Sequence, residues 1–200
     1  MRKIIAVVVG LAISQLASAT KIYQADISEI YAKSDLVLFG KIESGRVLAN
    51  DCGVEYVIRV EAPYKGKVRP GALIKFRNSG PTQLGSDYFL FLSLIDREFS
   101  PVLSTNSGAT NMQAQYRQRC KPDWPPFVVN AFGNGALKST GTYNENLRRA
   151  VLFDDGVLKP PKGLNVTTLG PYDRYDTDKD DTALDLNQFM GYLKSLSSDP

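Results

Sequence analysis

The stretch VEAPYKGKVRPG, Val60 to Gly71, decides how the first half of the chain is read. A strand-like run, Tyr56-Val57-Ile58-Arg59-Val60, enters it, and a second, Ala72-Leu73-Ile74-Lys75-Phe76, leaves it. Proline has no N–H to give to a ladder, so Pro63 is expected to end the first strand. Lys65-Gly66-Lys67 reads as a polar turn and Pro70-Gly71 as a second one. Upstream, Val54, Tyr56, Ile58 and Val60 occupy alternate positions, the period of a half-buried strand.

The same grammar extends in both directions. Leu36 to Ile42 reads as a strand with Gly40 at a bulge or close approach. It is joined to the next strand through the turn signal Asn50-Asp51-Cys52-Gly53. Asp87 to Ile95 is a continuous apolar run, which predicts burial on both faces. Ser100 to Ser104 is a candidate fifth strand. Before them Ile27 to Ser34, ISEIYAKS, reads as a short helix with one apolar side. Four or five short strands with no long helix between them predict an antiparallel meander closed into a small barrel or a sandwich.

The chain ends differently. Asn111 to Arg119 reads as a short polar helix. Cys120 to Pro126 is a rigid loop with the single Trp124. Phe127 to Phe132 and Leu147 to Phe153 read as strands within an additional β segment over 122–158, which can pack on the barrel. Residues 159–181 read as an irregular linker. Residues 182–197 read as a C-terminal amphipathic helix, with Thr182 and Asp185 as a capping box and Leu186, Phe189, Met190, Leu193 and Leu196 in one stripe. Such a stripe ordinarily covers the protein's own core.

At the start, Met1-Arg2-Lys3, an apolar run from Ile4 to Leu16 and Ala17-Ser18-Ala19 make the three-part pattern of a secretory signal over residues 1–19, of a bacterial type. Cleavage is expected between Ala19 and Thr20. No Cys follows Ala19, so no lipid anchor is expected, and no other apolar run is long enough to span a bilayer. The expected location is periplasmic or secreted. Loss of Arg2 and Lys3 lowers the formal charge from +3 to +1, which is not the basic footprint of a nucleic-acid binder. The two cysteines, Cys52 and Cys120, in an exported chain favour one disulfide. There is no histidine, which removes His-dependent metal sites and Ser-His-Asp or Cys-His catalysis.

Three motifs in order carry a family resemblance. Lys33-Ser34-Asp35-Leu36-Val37-Leu38-Phe39-Gly40-Lys41-Ile42, then Val57 to Gly66 with Tyr64-Lys65-Gly66, then Gly85-Ser86-Asp87-Tyr88-Phe89-Leu90-Phe91, resemble the corresponding strands of netrin-like, TIMP-like domains. The match covers Ser28 to Ser104. It implies an OB-like, five-stranded antiparallel Greek-key barrel over 20–121, in a mainly β chain with an N-terminal helix, additional β segments and a C-terminal helix. The metalloproteinase inhibitors among these domains place an N-terminal Cys on the protease zinc. Here the expected mature start is Thr20-Lys21-Ile22-Tyr23, so no inhibitory residue is carried over.

Other candidate sites have plainer readings. Asp176, Asp178 and Asp180 stand at the first, third and fifth positions of an EF-hand-like loop, but Asp181 replaces its glycine and Asn187 its last carboxylate. They are weak calcium candidates, and acids ahead of a helix N-terminus explain them as well. Tyr56, Tyr64, Phe76, Tyr88 and Phe91 would stack bases or sugars if exposed, and fill a core otherwise. Glu43, Glu55 and Glu61 read as solvated strand carboxylates. The expected role is a non-enzymatic binding or interaction module of the cell envelope, needing no cofactor, with an envelope protein or glycan as partner. A histidine-free envelope hydrolase and an inhibitor of a secreted enzyme are the alternatives.

Overall fold

The computed structural model describes residues 25–95, 115–116, 118–130, 135–140, 149–153, 158–169 and 181–197. The signal, its cleavage site at Ala19 and Thr20, the candidate strand Ser100–Ser104 and the candidate calcium ligands Asp176, Asp178 and Asp180 lie outside the described residues.

A closed five-stranded barrel forms the first half. Strand β2 (Leu36–Val47) pairs antiparallel with β3 (Val54–Lys65) on one side and β5 (Asp87–Leu94) on the other. Strand β4 (Leu73–Arg77) follows β3. Strand β6 (Phe127–Val129) closes the ring, parallel to β4 through Phe76 and Arg77 and antiparallel to β5 through Leu92 to Leu94. The order β2-β3-β4-β6-β5 and back to β2 is that of a Greek-key, OB-like barrel. The fifth barrel strand is therefore Phe127–Val129, a segment that sequence alone assigned to the extra β region after residue 121. Leu38, Ile42, Ile58, Phe76, Leu90 and Leu92 fill the barrel and are fully buried.

The opening stretch now has a physical account. Strand β3 does not stop at Pro63 but runs to Lys65. The β3–β4 ladder ends at Arg59 opposite Leu73, so the N–H that Pro63 lacks is not needed on that side. Tyr64 turns its ring into a core, and its carbonyl accepts the hydroxyl of Tyr31 at 2.8 Å. The Lys65 ammonium donates to the carbonyls of Tyr31 and Ala32, at 2.8 and 2.9 Å. It thereby caps the last carbonyls of helix α1 (Ile27–Lys33), where the Tyr31 carbonyl also accepts the Ser34 N–H. Gly66 has φ +88°, and a Cβ there would run into the Leu36 side chain and lie 2.8 Å from the Asp35 carbonyl. Gly71, at φ +82°, donates to Val60 at 2.7 Å and folds the chain back into β4.

A second layer grows from β5. Strand β7 (Ala136–Thr140) pairs with β5 from Asp87 to Leu90, on the edge whose other half holds β6. The sheet continues through β8 (Ala150–Phe153) and β11 (Asp181–Asp185) to β10 (Val166–Leu169), all antiparallel. A short parallel pair joins β1 (Ala25–Asp26) to β9 (Leu158–Lys159). Residues 159–181 thus contain strand residues rather than a bare linker. The C-terminal helix α2 runs Leu186–Ser197, not from Thr182, because Thr182 lies within β11. Asp185 ends the strand and caps the helix, accepting the Gln188 N–H at 3.0 Å. The apolar stripe of α2 docks on its own protein, as expected. Phe189 stands edge-on to Phe89 and Phe153, with ring centroids 4.9 and 5.8 Å apart.

Cys52 and Cys120 are joined by a disulfide with Cα atoms 5.3 Å apart. Their charged neighbours in sequence make them read as surface positions, yet both are fully buried, with Leu48, Tyr116 and Trp124 around them. The Trp124 indole N–H donates to the Cys52 carbonyl at 3.2 Å. The Arg77 guanidinium lies 4.6 Å from the Trp124 ring centroid and donates to the Tyr116 hydroxyl at 3.1 Å. The bond thus pins the segment before β6 to the β2–β3 connection.

Two stability predictions follow from this architecture. The bridge closes a sequence separation of 68 residues, so the double variant C52A/C120A is expected to lose about 3 kcal/mol in urea denaturation, read by Trp124 fluorescence; an unchanged midpoint would contradict the pinning role. A Cβ on Gly40 would overlap the Arg59 carbonyl oxygen across the β2–β3 ladder. Gly40→Ala is therefore expected to cost about 3 kcal/mol by the same assay, and a cost near zero would mean that the ladder yields there.

Candidate functional site

A cleft of about 400 Å³ opens where the barrel meets the second layer. Phe39 of β2 and Glu61 and Ala62 of β3 form one side. Arg149, Asp185 and the start of α2, with Leu186, Asn187 and Met190, form the other. The sequence builds each wall locally. Phe39 and Ala62 are register partners across β2 and β3, so both point to the face of the barrel away from its interior. The Leu186 N–H donates to the Arg149 carbonyl at 3.0 Å, which ties the first turn of α2 to the residue before β8.

The charges in this region are only partly matched. The Arg149 guanidinium donates to the Asp87 carboxylate at 2.8 Å and lies 5.9 Å from the Phe39 ring centroid. Its charge is thus spent on an acid outside the lining. Asp185 accepts one backbone N–H as a cap, and Glu61 is exposed on β3. The lining therefore has an apolar base, two carboxylates and an arginine already paired. Such a mix of apolar surface with a few convergent polar groups is the usual character of a small binding site.

The other sequence candidates fall elsewhere. Tyr64, Phe76, Tyr88 and Phe91 are buried and Tyr56 is partly buried against the barrel core, which places all five in packing rather than on a stacking surface. Glu43 accepts from Nε and Nη2 of Arg59, the second at 3.0 Å. Glu55 is 7% exposed and faces Arg46 and Lys75 at 3.3 and 3.4 Å. Of the three strand carboxylates, only Glu61 reaches the cleft. Sequence reading gave Asp185 only a capping role and Asn187 only a place in the EF-hand-like loop, and it did not single out Arg149; only the strand pairing β5-β7-β8-β11 brings the three beside Phe39. Among the described residues there is no group of three or more side chains that could hold a metal, and no helix is long and apolar enough to cross a membrane.

Behind the cleft base, Phe39, Phe89 and Tyr64 belong to one core with α2. The Tyr64 hydroxyl is buried with no hydrogen-bond partner among the described residues, and burial pushes its pKa up to about 12.

No known family's sequence profile matches this chain, and no curated protein matches it.

The buried Tyr64 hydroxyl has a pH signature. Below pH 10 the phenol is neutral in both folded and unfolded chains. Between about 10 and 12 the unfolded phenol ionises while the folded one does not. The unfolded state then holds fewer protons, and stability falls as pH rises through that window. Tyr64→Phe removes a buried hydroxyl with no partner among the described residues and is expected to raise stability at pH 7 by about 1 kcal/mol and to make the alkaline decline shallower. Thermal melts from pH 7 to 11.5 check both; a variant less stable than the parent at pH 7 would show that the hydroxyl has a partner.

Proposed function

We propose that this chain is an exported, non-enzymatic binding module of the cell envelope that engages a partner through the cleft between its barrel and helix α2. The observation that carries the reading is the cleft itself, with an apolar base of Phe39, Ala62, Leu186 and Met190 edged by Glu61, Asp185 and Asn187. The signal-like start and the netrin-like, TIMP-like motifs support export and a binding role on an OB-like barrel. Ligand sites on such barrels are set by side chains and loops rather than by the fold, so the reading rests on the cleft and not on the architecture.

Site-specific photo-crosslinking in intact cells tests it. A photoreactive residue at Asn187, in the cleft, is expected to capture a discrete envelope component, whereas the same residue at exposed Lys67 is not. Equal capture at the two positions would remove the cleft from the reading. Capture of a fragment cut from the partner would turn it to the hydrolase alternative. Retention of residues 1–19 in cytoplasmic protein would remove export.

A further inference from the structure

The geometry points to a basic side chain, lysine or arginine, of a partner polypeptide as the group this cleft accepts. This inference rests on the binding role proposed above and adds the chemistry of the ligand. Three observations carry it.

The first is charge. Glu61 and Asp185 line the cleft, and the single cation in the lining among the described residues, Arg149, is held by Asp87 at 2.8 Å. An incoming cation therefore meets two carboxylates and a neutralised arginine, while an incoming carboxylate meets like charge. The positive end of α2 does not reverse this, since Asp185 already accepts the Gln188 N–H there.

The second is shape. Phe39, Ala62 and Met190 supply apolar surface within the same cleft as the acids. Lysine and arginine carry an apolar stem and a charged head, and they bury the one while keeping the other near the rim. A bare inorganic cation would leave the apolar base wet, and a wholly apolar group would leave the carboxylates without a partner.

The third is access for a chain. The β3–β4 contacts end at Val60 and the bonds to α1 begin at Tyr64, so from Glu61 to Pro63 β3 is paired with β2 alone among the described residues. An extended segment running past that side can present one side chain to the cleft, the mode by which strand edges take peptides.

The test is an amide NMR titration of the mature protein with three capped tripeptides, Gly-Lys-Gly, Gly-norleucine-Gly and Gly-Glu-Gly. The lysine peptide is expected to shift the amides of Phe39, Ala62 and Leu186 to Met190 saturably. Its affinity should exceed that of the norleucine peptide by about fivefold, the size of one modest charge contact. The glutamate peptide is expected to bind more weakly than both. The lysine preference should shrink in Glu61→Gln and in 0.5 M salt, with the norleucine affinity unchanged. Equal affinity for lysine and norleucine, or a preference for glutamate, would overturn the basic-side-chain inference while leaving the cleft as a binding site. No saturable shift at those amides with any peptide would overturn the inference together with the cleft reading on which it rests.

Discussion

The fold depends on one strand that has no solvent face. In β5 the side chains of Tyr88, Leu90 and Leu92 point into the barrel, and those of Phe89 and Phe91 point into the layer under α2. Both sets are buried, so the strand is the shared wall of two cores. Its edge is shared as well: β7 takes the first half and β6 the second. Splitting an edge in this way leaves backbone groups at the junction that need partners. Phe91 lies at that junction. Its N–H donates to the Gly135 carbonyl at 2.9 Å and its carbonyl accepts the Asn130 N–H at 2.9 Å. Asn130 in turn donates from its side chain to the Ser34 hydroxyl at 2.7 Å, which donates to the Ile30 carbonyl. The point where the barrel becomes an open sheet is thus a satisfied polar knot next to the end of α1.

The Tyr64-Lys65-Gly66 turn fastens the opposite side of the same helix. The Tyr31 hydroxyl of α1 donates to the Tyr64 carbonyl, the Lys65 ammonium of β3 donates to the Tyr31 carbonyl, and Gly66 lets the turn pass close to Leu36. The disulfide fastens the far connection, holding the segment that leads into β6 against the β2–β3 loop. A parallel pairing such as β4 with β6 needs a long crossover. Pinning the last part of that crossover limits the freedom with which Phe127–Val129 can find its place.

The cleft follows from this arrangement. The second layer carries Arg149 and the first turn of α2 to the outer face of the β2–β3 pair, where they stand opposite Phe39, Glu61 and Ala62. Because α2 starts at that point, its capping carboxylate belongs to the rim. The Arg149–Asp87 pair ties the layer to the barrel and at the same time removes the cation from play. A device that secures the joint therefore also sets the charge that a ligand would meet.

Much of this was legible in the residues. Alternation from Val54 to Val60, the uninterrupted apolar run of β5 and the helical stripe from Leu186 to Leu196 each record the burial period of one element, and each element formed where its period is clear. Two cysteines with no third to compete marked their own bridge. What the sequence left open has a common physical cause. Pro63 reads as a stop locally, and it is harmless because β3 beyond Val60 pairs with β2 alone among the described residues. Thr182 to Asp185 reads as a helix start, but pairing with β8 holds it extended. Phe127–Val129 is three residues long, and its role as the closing strand comes from partners far upstream, Phe76 and Arg77 on β4 and Leu92 to Leu94 on β5. Periodicity reports which face of a segment is buried, since that depends on the segment alone. Which segments become neighbours, and therefore that Glu61, Arg149 and Asp185 share one cleft, is decided by long-range pairing energies that no local window contains.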